Sequence, residues 1–297
     1  MCIRDRFPIY ESVINYTGAK AVPMKLSMDN QFNIDIENLK SLINKNTSLI
    51  IFNSPSNPTG GLISKTDMQE IILLLEQNPH VHILSDEIYT DLTFCNKYES
   101  ISQYYPEKTF ISGGLSKWCG AGGWRLGFLA VPNKLTDFLS CLKSLASESY
   151  STVNTPTQFA AAEAYSGNYD EYKNKVKGIL NAVGDYVYNN LKSNKVLISP
   201  PQGAFYLMPE FKNKKYKNSS KLCEAILKET GVAMLPGSDF GFKPKKMLTR
   251  LSYTDFNGTE FFKNASNYKS IDDEMIKKYA PNVVEGVSKL SNWAKNL

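Results

Sequence analysis

The sequence predicts an α/β fold in which a mostly parallel, mixed sheet flanked by helices forms a large domain and a smaller α+β domain follows. Three observations support this prediction. In the first half, short apolar runs alternate with helical stretches at intervals of about 30 residues. A Pro- and Gly-rich turn ends one of those runs. In the second half, short strand-like runs are interleaved with amphipathic helices.

The first half divides into strands and helices in chain order. "AKAVPMKL" and "TSLIIFNSP" predict strands, and the second of them ends in the turn "SPSNPTGG". Ser64, with Asp67 three residues later, predicts the start of a helix whose apolar face lies in "MQEIILLLEQN". "HVHILSDEIY", "KTFISGG" and "RLGFLAVP" predict three further strands. This order is typical of parallel strands joined by crossover helices.

The chain becomes mostly helical after "RLGFLAVP". A long amphipathic run from Tyr169 to Asn190 predicts a helix that links two domains. Beyond it, "GAFYLM" and "MLTRLSY" predict short strands, and "SSKLCEAILKET" predicts a helix. We place the large domain at 7–171 and the small domain at 172–297. Residues 1–6, "MCIRDR", resemble junction sequence, and we predict that they are a non-native leader.

The composition is that of an ordinary globular protein. The chain has 297 residues, of which 42% are hydrophobic, and a formal net charge of +5. That charge is too small to predict nucleic acid or an anionic membrane as the main partner. No apolar run approaches the ~18 residues that a membrane span needs. The five cysteines are scattered and odd in number, so we expect no disulfide framework, no metal site and a reducing cytoplasm.

Three polar residues follow successive strand-like runs in the first half. Asn57, Asp86 and Lys117 are separated by 29 and 31 residues. Ligands of α/β sheets bind outside the carboxyl ends of the strands. We therefore expect these three side chains to lie at one edge of the sheet and to form one site from three loops.

Lys117 differs from an ordinary surface lysine in its surroundings, "GLSKWCGAGGWRLG". A lysine amine forms a Schiff base with an aldehyde once burial or a nearby cation disfavours its proton, and pyridoxal phosphate is the common biological aldehyde. At every constrained position, the stretch resembles the lysine-attachment signature of the class I and II pyridoxal-phosphate-dependent aminotransferases. "SDEIY", "NPTG" and "RLSY" extend this resemblance, which covers nearly everything from Phe7 to about Phe256.

The resemblance implies a role for each matching residue. Lys117 binds the cofactor aldehyde, while Asp86 faces the pyridine nitrogen and keeps it protonated. Tyr89 and Asn57 contact the phenolic oxygen of the cofactor, and Asn57 also helps to hold the substrate carboxylate. Arg250, which follows a strand-like run, binds the substrate α-carboxylate with its forked guanidinium.

The phosphate end of the site matches the family less completely. Arg125, eight residues after Lys117, is expected to bind the cofactor phosphate, because a dianion suits a permanent, forked cation. At Gly114 some family members carry a hydroxyl residue as an extra phosphate ligand. Phe7 falls where an aromatic residue usually stacks on the pyridine ring.

The family's N-terminal segment, which supplies part of the phosphate site, has no counterpart in this sequence. We therefore interpret the chain as a fragment truncated at the 5′ end of its coding sequence, and expect it alone to bind pyridoxal phosphate weakly or not at all and to be inactive. After "RLSYTDF" a longer tail replaces the family's usual compact end. This tail is a candidate marker of a subfamily.

The resemblance implies a fold type I enzyme, a homodimer at full length, that transfers an amino group between an L-amino acid and a 2-oxo acid. Two alternatives stay open. A β-lyase or a synthase of the same fold uses the same lysine, aspartate and arginine. A transcription regulator that binds pyridoxal phosphate uses such a domain as an effector sensor behind a helix-turn-helix. The sequence does not select the amino-acid donor or the keto-acid acceptor.

Overall fold

The computed structural model describes residues 2–4, 8–94, 98–266, 268 and 270–297. Its α-helices are α1 Pro8–Tyr16, α2 Ile36–Leu42, α3 Lys65–Glu76, α4 Thr136–Ser149, α5 Thr155–Ser166, α6 Asp170–Leu191, α7 Ser219–Thr230, α8 Gly258–Asn264, α9 Asp273–Tyr279 and α10 Pro281–Ala294. Its strands are β1 Cys2–Arg4, β2 Val22–Met24, β3 Leu49–Asn53, β4 His82–Asp86, β5 Thr109–Gly114, β6 Gly127–Ala130, β7 Val196–Leu197, β8 Tyr206–Leu207, β9 Glu210–Phe211, β10 Leu235–Pro236 and β11 Thr249–Ser252.

The first six strands form one sheet in the order β2-β1-β3-β4-β5-β6. Neighbouring strands from β2 to β5 run parallel, and β6 runs antiparallel to β5. The predicted mixed, mostly parallel α/β sheet is therefore confirmed. Within the predicted leader 1–6, the backbone of Cys2–Arg4 lies as a parallel strand between β2 and β3. This placement does not bear on the origin of the leader, which stays a prediction.

Helix α3 begins where the sequence predicts it. The Ser64 hydroxyl accepts a hydrogen bond from the Asp67 backbone N–H at 3.0 Å, which satisfies a donor that has no partner inside the helix. Ile71 and Leu75 are fully buried and share a hydrophobic cluster with Ile83 of β4. The apolar face of α3 therefore packs against the parallel sheet, as expected for a crossover helix.

The second half contains small antiparallel sheets, one with the strand order β10-β11-β8 and one formed by β7 and β9. Helix α6 has 22 residues, which confirms the predicted long helix. It packs against α10 and also contacts a short 3-10 helix, Thr90–Leu92, from the first half. The division into domains at 7–171 and 172–297 stays a prediction.

One hydrophobic cluster joins the two halves beneath the carboxyl edge of the large sheet. It contains Tyr89 and Trp118 from the first half together with Val187 and Leu290 from the second. The loops that follow β4 and β5 are therefore packed against the second half of the chain. Among the described residues, no helix combines the length and the apolar character needed to cross a bilayer.

Candidate active site

The site begins at the carboxyl edge of the large sheet, where three strands end in register. Asn53 of β3 pairs with Asp86 of β4, which pairs with Ser112 of β5. The Asn53 side chain bridges two loops, because its amide donates to the Asp86 carbonyl at 3.0 Å and its oxygen accepts from the Asn57 N–H at 2.7 Å. The structure thus fixes Asn57 and Asp86 relative to each other.

Asp86 lies at the end of β4 and accepts hydrogen bonds from three donors. The Tyr10 hydroxyl of α1 donates to Oδ2, while the Ser112 hydroxyl at 3.2 Å and the Ile88 N–H at 3.4 Å donate to Oδ1. Burial raises the pKa of the Asp86 carboxyl, and these hydrogen bonds oppose that shift because they favour the ionised form. The donors therefore help to keep a buried carboxylate charged.

Lys117 follows β5 and is half-buried among aromatic rings. Its Nζ lies 5.7 Å from the ring centroid of Tyr89 and 5.7 Å from that of Phe205. Burial lowers the pKa of the Lys117 amine, and the positive charges of Arg250 and Arg125 lower it further. Since only the neutral amine is a nucleophile, this environment favours reaction of Lys117 with an aldehyde.

Tyr89 is buried beside Lys117 and connects the two halves of the site. Its hydroxyl lies 3.1 Å from the hydroxyl of Tyr206, and the two rings meet edge to face with centroids 5.8 Å apart. Burial raises the pKa of the Tyr89 hydroxyl, so it stays protonated at neutral pH. Tyr89 can therefore donate a hydrogen bond to a ligand oxygen.

Arg250, in β11, comes from the second half of the chain and is half-buried. Its Nη1 donates to Asn57 Oδ1 at 2.8 Å, although the two residues are 193 positions apart. Its Nε is buried and has no hydrogen-bond partner within the described residues. The Arg250 guanidinium therefore has N–H donors available to bind a carboxylate, which is the ligand that its planar fork suits best.

Arg125 lies in the loop between β5 and β6 and is exposed. Its backbone is in the left-handed region, with φ at 57°, and its Nη1 donates to the Gly122 carbonyl at 2.8 Å. Its charge contributes to the lowered pKa of Lys117, which places the two cations in one electrostatic environment. Phe7, the predicted stacking residue, lies outside the described residues.

Gly114, the departure from the family pattern, has a structural explanation. It ends β5 opposite Gly127 of β6. A Cβ atom at Gly114 would lie 2.7 Å from the carbonyl oxygen of Leu126, which is closer than real Cβ contacts allow. The close approach of the two strands therefore disfavours a hydroxyl residue at this position.

Several site residues were missed by sequence reasoning. Tyr10 and Ser112 contact Asp86, while Tyr206 contacts Tyr89 and stacks on Arg250. Ser112 lies two residues before the glycine-rich stretch "GLSKWCGAGGWRLG", and Tyr206 lies in the predicted strand "GAFYLM", so both residues lie in or beside segments that the sequence analysis had singled out. Tyr10 had no such signal, because its contact depends on how α1 packs against β4.

The arrangement fits the ring end of pyridoxal phosphate. A carboxylate has about four acceptor sites, and three donors reach Asp86 among the described residues, which leave one site for a pyridinium N–H. Lys117 supplies an amine with a lowered pKa, and Arg250 keeps a buried Nε that has no partner in the described part of the chain. Within the described ranges, no cluster of His, Cys, Asp and Glu is arranged to hold a metal ion.

Comparison with known proteins gives consistent matches. Residues 6–260 match the family described as aminotransferase class I and II. The chain is 33% identical over 241 residues to a probable N-acetyl-LL-diaminopimelate aminotransferase of Bacillus subtilis, covering 79% of this chain and 58% of that protein. It is 32% identical over 253 residues to an aspartate aminotransferase of the same organism, covering 82% and 62%.

Solved structures agree with these matches. An alanine aminotransferase from Pyrococcus furiosus superposes with a TM-score of 0.82 at 25% identity, covering 100% of this chain and 70% of that one. An aromatic aminotransferase from Pyrococcus horikoshii has the same fold, with a TM-score of 0.81 at 24% identity and coverages of 99% and 73%. The chain spans about three fifths of the length of the curated relatives it matches.

Proposed function

This chain belongs to the class I and II aminotransferases, and on that premise we propose that Lys117 is the pyridoxal-phosphate attachment residue of an enzyme that transfers an amino group between an L-amino acid and a 2-oxo acid. Members of this family depend on pyridoxal phosphate. The observation that carries the proposal is the position of Asp86 at the end of β4, of Lys117 just after β5 and of Arg250 in β11, with the Arg250 charge acting on Lys117. Asn57 joins them through its hydrogen bond to Arg250.

Each residue has a part in holding the cofactor. When bound, pyridoxal phosphate supplies an aldehyde and a pyridine ring that accepts electrons. Asp86 would hold a proton on the pyridine nitrogen, which a buried anion does well. Tyr89 and Asn57 would donate to the phenolic oxygen, and Arg125 would pair with the phosphate.

The chain's residues also act on the substrate. Arg250 would bind and orient its α-carboxylate, which leaves the Cα–H bond in a fixed position near Lys117. Lys117 would then remove the proton from Cα as a general base. Its lowered pKa keeps a larger fraction of the amine neutral at neutral pH than an ordinary lysine has. Proton transfer by a positioned base contributes about 10²–10⁴-fold to such rates.

The proposal includes a homodimer that works in the cytoplasm. All four residues of β6 are exposed, and so are the large apolar side chains of Phe128 in β6 and of Phe138 and Leu145 in α4. Such a surface favours burial against another chain. Cys119, Cys141 and Cys223 are free thiols, and free thiols persist in a reducing compartment.

Reductive trapping tests the cofactor assignment. The purified chain is incubated with excess pyridoxal phosphate, reduced with borohydride, digested and mapped by mass spectrometry. We expect label at Lys117 before other lysines, and none at position 117 in Lys117→Ala. Lys173→Ala is the matched control, because Lys173 is also half-buried but forms an ion pair with Asp91 at 3.1 Å. Labelling spread evenly over the surface lysines would contradict the proposal.

A second measurement separates transamination from its alternatives. The chain loaded with pyridoxal phosphate is given an amino acid, and the bound cofactor and released products are quantified. A transaminase yields pyridoxamine phosphate and a 2-oxo acid in equal amounts. A lyase or a synthase yields products without that stoichiometric conversion, and an effector sensor binds the amino acid without turnover. Either of these last outcomes would overturn the proposed reaction.

A further inference from the structure

Arg250 rests against two aromatic rings that no sequence motif assigned to it. Its guanidinium carbon lies 4.5 Å from the ring centroid of Tyr206 and 4.9 Å from that of Phe240. Both rings are buried, with 6% of Tyr206 and 2% of Phe240 exposed. We call Tyr206 and Phe240 the aromatic cradle.

The cradle is built by backbone pairing in the second half of the chain. Ser252 of β11 pairs with Tyr206 of β8, two positions from Arg250. The Gly237 N–H, at the start of the 3-10 helix Gly237–Phe240, donates to the Leu248 carbonyl at 2.8 Å. A Cβ at Gly237 would lie 2.8 Å from the Leu248 side chain, so this turn is held close to β11. The two rings therefore reach Arg250 from separately anchored elements.

A guanidinium that stacks on aromatic rings is restricted in the orientation of its plane. Cation–π attraction is strongest where water is excluded, and stacking leaves the N–H groups pointing outward in the plane of the guanidinium. One of these groups bonds Asn57, and the buried Nε has no partner among the described residues. The rings therefore fix the direction of the Arg250 N–H groups, and they leave these donors available to a ligand.

Tyr206 has a second contact that the ring alone does not provide. Its hydroxyl lies 3.1 Å from the Tyr89 hydroxyl. The ring of Tyr206 therefore packs against Arg250, and its hydroxyl contacts the hydroxyl of Tyr89. These two contributions can be separated by substitution, since phenylalanine keeps the ring and leucine removes it.

We propose that the aromatic cradle, Tyr206 and Phe240, positions the Arg250 guanidinium and that its rings, not the Tyr206 hydroxyl, provide this positioning. The role of Arg250 toward a substrate carboxylate rests on the proposed function. The cradle itself does not, because its contacts can be measured on the chain without cofactor or substrate.

Arginine modification by phenylglyoxal, read by mass spectrometry, tests the cradle. The sequence contains four arginines, and exposed Arg125 is the internal reference for Arg250. The reagent must reach the guanidinium, and the two rings of the cradle cover that group. We expect Tyr206→Leu and Phe240→Leu each to speed modification of Arg250 about three- to tenfold relative to Arg125, as the size of a cation–π contact implies.

Two variants serve as controls. Tyr206→Phe should leave the rate of Arg250 within about twofold of the unaltered chain, since the ring is kept. Phe242→Leu should also leave it unchanged, because Phe242 packs edge to face against Phe32 with centroids 5.9 Å apart. Thermal melting shows which variants keep their fold. If Tyr206→Leu unfolds, Phe240→Leu decides, since it lies outside the strands. Folded leucine variants with unchanged Arg250 rates would overturn the proposal.

Pyruvate, the smallest 2-oxo acid with an α-carboxylate, separates this proposal from the proposed function. If both hold, pyruvate protects Arg250 in the unaltered chain, and protection weakens in the leucine variants but not in Tyr206→Phe. If pyruvate gives no protection while the leucine variants still speed modification, the cradle stands and the carboxylate role of Arg250 fails. If pyruvate protects equally in all variants and their rates are equal, the cradle fails.

Discussion

The two ends of the candidate site are built differently. At the ring end, Asp86, Lys117 and Arg250 are held by contacts between elements that are far apart in the chain, such as the Arg250–Asn57 and Tyr10–Asp86 hydrogen bonds. At the phosphate end, Arg125 is exposed and bonds the carbonyl of Gly122, three residues before it. The ring end therefore depends on the whole fold, whereas the described part of the phosphate end depends on one loop.

This difference predicts different responses to substitution. Groups at the ring end act in a partly buried environment, where charge–charge and hydrogen-bond energies are large. An exposed cation acts through solvent and salt, which screen it. The largest effects are therefore expected at the ring end and the smallest at Arg125.

The largest effect is expected for Asp86→Asn. The amide has the shape of the carboxyl but not its charge, so under the proposed role of Asp86 it would no longer hold a proton on the pyridine nitrogen. We expect exchange of the amino-acid Cα proton in D₂O, followed by NMR at saturating pyridoxal phosphate, to slow by about 10²–10³-fold. Asp185→Asn is the control, because burial also raises the pKa of Asp185 but it lies in α6. A loss below about tenfold would contradict this role for Asp86.

Arg250→Lys should have the next largest effect. Lysine keeps the charge but loses the planar fork and the stacking on Tyr206 and Phe240. Charge-assisted hydrogen bonds contribute about 1.5–3 kcal/mol, so the amino-acid concentration at half-maximal exchange should rise about tenfold to a hundredfold. The maximal exchange rate should change less. A lower maximal rate at unchanged half-saturation would argue that Arg250 does not bind the substrate carboxylate.

The sequence predicted the positions of some site residues, but it did not predict the long-range contacts between their side chains. Lys117 and Arg125 lie in one motif, and the ends of β3, β4 and β5 follow from apolar runs that recur about every 30 residues, so local pattern was sufficient for them. The contacts of Tyr10 with Asp86 and of Tyr206 with Tyr89 span 76 and 117 positions. They depend on packing between elements, which leaves no periodic signal in the sequence.

Tyr10→Phe sharpens the comparison within the ring end. The lost hydroxyl favoured the ionised form of Asp86, so its removal raises the pKa of that carboxyl further above its ordinary value. Protonated Asp86 then persists to higher pH, and Cα-proton exchange should fail at a higher pH as the solution is acidified. We expect an upward shift of the acid limb by up to about one pH unit.

Two variants control the Tyr10 prediction. Ser112→Ala removes a second donor to Asp86 and should shift the acid limb in the same direction by a smaller amount. Tyr105→Phe removes the hydroxyl of a tyrosine that packs against the hydrophobic cluster beneath α3. This variant should not shift the acid limb. Within the described residues, the titratable groups Glu87 and Tyr89 also interact with Asp86, and all three variants leave them in place. An unchanged acid limb in Tyr10→Phe would show that Asp86 is ionised without this donor.

The smallest effect is expected for Arg125→Lys. Arginine and lysine are equally disfavoured in the left-handed backbone conformation at this position, so the substitution tests the guanidinium fork and not the loop conformation. We expect pyridoxal phosphate to bind about two- to fivefold more weakly by equilibrium dialysis at low salt, because an exposed charge contributes about 1 kcal/mol or less. The gap should shrink as the salt concentration rises, since screening weakens both cations alike. A loss that is as large as that of Asp86→Asn and independent of salt would mean that Arg125 is desolvated when the cofactor binds. Further groups around Arg125 would then be required at the phosphate end. The difference in burial between the two ends would hold only while the cofactor is absent.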